Sequence, residues 1–123
     1  MSIDIHGLIG ETLREAAEEL KNGNPKGHEY LATILDGAVS LSDESDILVL
    51  HSSISSISQK FFDSQTKLPG GSEFMKAIGD VYVKMSGAIA SRDSAGISDL
   101  IRVYIAKIRE RWKDSLRLKE EEK

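Results

Sequence analysis

The sequence predicts an all-α protein: a single up-and-down antiparallel bundle of four to five helices. Three observations predict it. Apolar residues recur at three- and four-residue steps through almost the whole chain, which is the periodicity of amphipathic helices. The breaks between these stripes are short and rich in helix-capping and turn-forming residues, which favours antiparallel neighbours. Only "DILVLHSSIS" reads as a strand, and with no second strand to pair with it is assigned to a helix.

The first segment carries Ile5, Leu8, Ile9, Leu13, Ala16, Ala17 and Leu20 on one face, with Ser2 as its expected cap. "KNGNPKG" ends it, Asn24 and Pro25 supplying a cap and a first-turn proline for the second segment. That segment presents Tyr30, Leu31, Ile34, Leu35, Ala38 and Val39. A third helix is expected from about Asp43 to Asp63, capped by Ser42, with Ile47, Leu50, Ile54, Ile57 and Phe61 inward. "SQTKLPGGS" is the clearest break, and Ser72 is the expected cap of a fourth helix bearing Phe74, Ile78, Val81, Met85 and Ile89. The fifth begins near Asp93 and carries Ile97, Leu100, Ile101, Tyr104, Ile108 and Trp112. Residues 1–119 form one domain on this reading, and 120–123 a frayed charged tail.

Composition narrows the chemistry. The chain of 123 residues is 40% hydrophobic and 29% charged, ordinary for a globular domain that buries about two-thirds of its unfolded surface. It contains no cysteine, which excludes disulfides, thiolate catalysis, iron–sulfur clusters and cysteine zinc sites, and fits a cytoplasmic protein. No window offers the run of roughly 18 apolar residues that a membrane span needs. The net charge of −4 is uneven: ten acids against three bases make residues 1–50 −7, and ten acids against thirteen bases make residues 51–123 +3. Seven of those bases lie between Arg102 and Lys119, but Glu110 and Asp114 interleave them, so a one-signed phosphate-binding face is absent and nucleic-acid binding is not expected.

The stretch "HSSISSISQKFF" places His51 four residues from Ser55, a spacing that puts both on one helical face. Serine catalysis also needs an orienting group and oxyanion donors, and mid-helix backbone N–H groups are already spent on intrahelical bonds. The serines therefore read as small residues that let a neighbouring helix approach. His6, His28 and His51 lie on three segments, without the spacing of a metal-binding pair on one helix. No metal site or cofactor is assigned. Tyr82, Tyr104 and Trp112 combine a large apolar body with a polar tip, so with His51 they are the candidate ligand or interface residues.

Three partial family resemblances follow from short motifs. Glu15, Glu18 and Glu19, followed by Asp43 and Asp46, resemble the paired acidic motifs of all-α MazG-type nucleotide pyrophosphohydrolases. That resemblance implies magnesium held by carboxylates such as Glu15, Glu18 and Asp46. The last two segments, through Ala88, Ile89, Arg92 and Asp93, resemble the ligand-sensing C-terminal domain of FadR-type regulators, and His51 matches a histidine of that family's "D..FH..I" stretch. Tyr82 and Tyr104 stand where its metal-binding branch has histidines, so the resemblance implies an acyl-CoA or organic-acid sensor rather than a metal site. Gly70, Gly71, Tyr82, Met85 and the closing "IRERW" are similar to flagellar export chaperones of the FliS type, which implies protein binding. The expected function is a non-enzymatic interaction or oligomerisation module, taking a protein partner or a second copy. A small-ligand sensor and a magnesium-dependent nucleotide hydrolase are the alternatives.

Overall fold

The computed structural model describes residues 4–121, and every regular element among them is a helix. There are six: α1 (Ile5–Lys21), α2 (Lys26–Val39), α3 (Ser45–Ser55), α4 (Gln59–Gln65), α5 (Gly71–Ala90) and α6 (Ser94–Glu121). The count exceeds the expected four to five because the predicted third segment is two helices. Ser58 breaks it: its backbone is extended and its side chain accepts the Lys60 N–H at 3.1 Å, so it caps a new helix. The serine run upstream favours this break, since hydroxyls that bond their own backbone compete with helix propagation.

Several caps also move. Ser2 lies outside the described residues, and Asp4 caps α1 by accepting the Gly7 N–H at 2.9 Å. Asn24 behaves as expected, accepting the Lys26 N–H at 3.0 Å. Ser42 does not cap α3: Glu44 holds that position in extended conformation, and Ser42 only accepts the Glu44 N–H at 3.3 Å. Gly70, not Ser72, precedes α5, because the chain turns there through a left-handed conformation (φ +79°) that side chains resist. Gly71 is required as well, since a Cβ there would fall 1.7 Å from the Gln65 carbonyl oxygen. Of the expected frayed tail, Glu120 and Glu121 continue α6, with Arg117 bonding Glu121 one turn on at 3.1 Å, and residues 122–123 lie outside the described residues.

One apolar core joins all six helices. Helix α1 packs chiefly on α5 and then α2; α5 packs on α6, α2 on α3, and α4 bridges α2 and α5. Helices α1 and α5 run antiparallel, since Gly10 faces the Ser86 carbonyl while Gly79 faces that of Ala17. A Cβ at Gly79 would lie 3.0 Å from that oxygen, so this pair is held unusually close. Helix α6 has 28 residues, about 42 Å at helical rise, against about 30 Å for the 20 residues of α5. Its last turns therefore extend past α5 and lie beside α4.

Candidate functional site

The overhanging end of α6 and the short α4 frame an open cleft of about 200 Å³, lined among others by Ser58, Lys60, Phe61, Trp112, Leu116 and Lys119. Phe61 and Phe62 turn into the core, and Phe61 carries aromatic contacts on two sides: edge-on to Phe74 at 5.7 Å and stacked on Trp112 at 5.3 Å and 12°. Trp112 nevertheless stays 46% exposed and Leu116 55%, so the cleft has an apolar wall between two lysines.

Beneath it, Arg111 is buried. Its Nε donates to Gln65 Oε1 at 2.6 Å and its Nη2 to the Pro69 carbonyl at 2.7 Å. Gln65 Nε2 donates in turn to the Phe61 carbonyl at 3.1 Å. These charge-assisted bonds tie α4 and the turn before α5 to α6 and fix the floor of the cleft.

Of the four expected site residues, only Tyr82 and Tyr104 meet. Tyr82 and Tyr104 are fully buried; their rings lie 5.8 Å apart and the Tyr82 hydroxyl donates to that of Tyr104 at 3.4 Å. Burial pushes both phenols well above their usual range. They fill the bundle rather than wall a chamber. Trp112 is two turns further on at the cleft, and His51 is elsewhere, its Nε2 2.6 Å from Asp36 Oδ1 across the α2–α3 pair.

That contact also decides the serine question. Asp36, not Ser55, is the partner of the His51 ring, and the Ser55 hydroxyl donates to the His51 carbonyl at 2.6 Å. Ser53 likewise donates to the Val49 carbonyl at 2.8 Å. The role as a seam between helices is corrected too: Ser52, Ser55, Ser56 and Ser58 are exposed, so they face solvent.

Among the carboxylates, Glu15 accepts the Tyr30 hydroxyl at 2.8 Å and Glu18 is exposed, whereas Asp46 turns to His6. The structure thus brings together His6, Glu44 and Asp46, with His6 Nε2 3.1 Å from both Glu44 Oε2 and Asp46 Oδ2, instead of Glu15, Glu18 and Asp46. His28 is also buried, stacked on Phe62 at 4.4 Å, with Nε2 2.6 Å from the Ile57 carbonyl. Burial lowers its pKa, outweighing the backbone bond and the Asp63 and Glu29 charges that raise it. Sequence periodicity missed Lys60, Leu116, Gln65, Arg111, His6 and Glu44. The available signal for Leu116 was α6 continuing its stripe beyond Trp112; for Lys60, Gln65, Arg111, His6 and Glu44, whose roles depend on contacts between elements, there was none.

Comparison with family models, curated proteins and solved structures finds no match to this chain. Expectations drawn from FadR-type sensors, FliS-type chaperones and MazG-type hydrolases therefore rest on their own short motifs. No helix among the described residues is long and apolar enough to cross a membrane.

Proposed function

We propose that this chain is a cytoplasmic, non-enzymatic interaction module, and that its contact surface is the α4–α6 cleft. The observation that carries this reading is Trp112: a residue type that dominates interface energetics stands half-exposed on a fixed aromatic wall. Lys60 and Lys119 beside it select an acidic, amphipathic surface. The chain carries one such surface itself. Glu11, Glu15, Glu18, Glu19 and Glu29 are exposed on α1 and α2, around a Tyr30 ring that is 41% exposed. The first occupant is accordingly the α1–α2 face of a second copy.

Two different patches meet in such a contact, so it does not close on itself as a two-fold dimer does, and further copies add at each end. The apolar patch is small, which places the association in the weak, transient class. Light scattering on the purified protein, at low and high salt over a range of concentrations, tests this. The weight-average mass is expected to climb above 13.5 kDa with concentration at low salt and to fall back as salt screens the charges. Trp112, the chain's single tryptophan, reports the same event by fluorescence; Lys60→Glu abolishes both readouts, and Trp112→Ala abolishes the rise in mass. A mass of 13.5 kDa at every concentration in both salts overturns self-association.

A ligand-sensing role has less support. It would place a chamber beside Tyr82 and Tyr104, where the rings instead pack against each other without exposure.

A further inference from the structure

The geometry points to a divalent-cation site at the other end of the bundle, built by His6, Glu44 and Asp46 and taking an ion of the zinc class. Its donors come from two separate stretches, the first turn of α1 and the start of α3. All three ligand atoms lie within 4.8 Å of one another. His6 Nε2 is 3.1 Å from each carboxylate oxygen. Tetrahedral ligands about 2.1 Å from a zinc ion stand about 3.4 Å apart, so each of the two spacings is within a few tenths of an ångström of what a common ion requires.

The donor orientation is held from outside. Asp46 Oδ1 accepts the Ile47 N–H at 2.8 Å, and Glu44 Oε1 faces the Arg92 guanidinium at 3.9 Å. Each carboxylate aims one oxygen at the imidazole, and the other oxygen of Asp46 is fixed by a backbone hydrogen bond, the outer-shell arrangement that orients metal ligands; the longer Glu44–Arg92 contact is electrostatic only. Burial adds the second argument. The side chains of His6 and Asp46 are only 5% and 9% exposed, whereas Glu44 at 50% leaves one side open to solvent. A neutral imidazole with two carboxylates carries −2, which a dication neutralises. A protonated imidazole alone leaves the trio at −1, and Arg92, itself 65% exposed, offsets this only weakly.

The ligand types set the class of ion. An imidazole nitrogen with two carboxylate oxygens suits zinc, cobalt or manganese better than magnesium or calcium, which prefer all-oxygen shells. Three protein donors leave at least one position for water, on the side of Glu44. A bound ion would cross-link the beginning of α1 to the beginning of α3, and through Arg92 to the turn between α5 and α6. This inference does not depend on the α4–α6 cleft.

Titration of the untagged, full-length protein with cobalt(II), followed by visible absorption, tests the proposal, with zinc competition as a second readout. Saturable binding at one ion per chain is expected, displaced by zinc, with affinity falling about tenfold or more in both Glu44→Gln and Asp46→Asn. Glu44→Gln is isosteric and half-exposed, so circular dichroism of the variant is expected to match the parent and separate lost binding from lost folding. His51→Gln, which removes the other histidine–carboxylate pair, should leave the titration unchanged. Absence of saturable binding up to millimolar cobalt, or equal affinity in Glu44→Gln and the parent, overturns the site and leaves a histidine–carboxylate contact in its place.

Discussion

Tyr104 and Trp112 sit two turns apart on α6, near the same face, yet one is fully buried and the other 46% exposed. Each has an aromatic partner at a similar distance, Tyr82 at 5.8 Å and Phe61 at 5.3 Å. What differs is the element opposite. Tyr104 meets Tyr82 in the middle of α5, at a level of the bundle where the long helices enclose it completely. Trp112 faces α4, a helix of 7 residues that covers only one side of the indole. An identical amphipathic stripe therefore yields core in one place and contact surface in the next, according to how far the partner helix extends.

The largest effect separating the two regions should be in stability. Tyr104→Ala removes a ring from a filled interior and should cost about 3–5 kcal/mol, whereas Trp112→Ala, half in solvent already, should cost about 1 kcal/mol. Urea unfolding of both variants measures this, and equal losses would break the distinction between core and cleft.

Arg111→Ala comes next. It leaves the Gln65 side-chain Oε1 and the Pro69 backbone carbonyl without their donors, so a loss of about 2–3 kcal/mol is expected. The Trp112 emission maximum should shift to the red in the same variant as α4 loosens. Unchanged emission would mean that the cleft wall does not depend on its polar floor.

The smallest effect lies on the inner side of α4, where His28 stacks on Phe62. Its folded-state pKa is lowered by burial from the ordinary 6.5, so the unfolded chain binds a proton that the folded chain resists. Above pH 6.5 both states hold it neutral and it contributes no slope; below that, stability falls as pH decreases until the folded state protonates too. His28→Gln should flatten this part of the profile in thermal melts taken between about pH 7 and pH 5. A parent profile as flat as the variant's would mean that this ring is solvated.

Much of the helical content could be read from periodicity because each stripe is a local property. Phe74, Ile78, Val81, Met85 and Ile89 all prove buried, as do Ile97, Ile101, Tyr104 and Ile108. The failures are local competitions and partnerships at a distance. Ser58 wins a cap where continuous helix was expected, and Gly70 rather than Ser72 starts α5 because only backbone sterics decide that turn. His6 and Asp46 stand 40 residues apart, and their meeting depends on how α1 and α3 pack. No spacing along the chain announces such a contact. Pairing His51 with Ser55 fails for the same reason: Asp36, on a different helix, reaches the ring.

By itself the sequence determined that the chain is helical, where its apolar faces lie, that thiol chemistry is absent and that its two halves carry opposite charge. Hydrophobic period, caps and composition act over a few residues, so they survive without knowledge of the fold. Tertiary structure alone decided which aromatics are covered, that Gln65 and Arg111 lock α4 in place, and that one histidine meets two carboxylates. Those outcomes depend on helix lengths and on the register of elements far apart in sequence, fixed only when close packing of α1 on α5 and the reach of α6 set every surface against its neighbour.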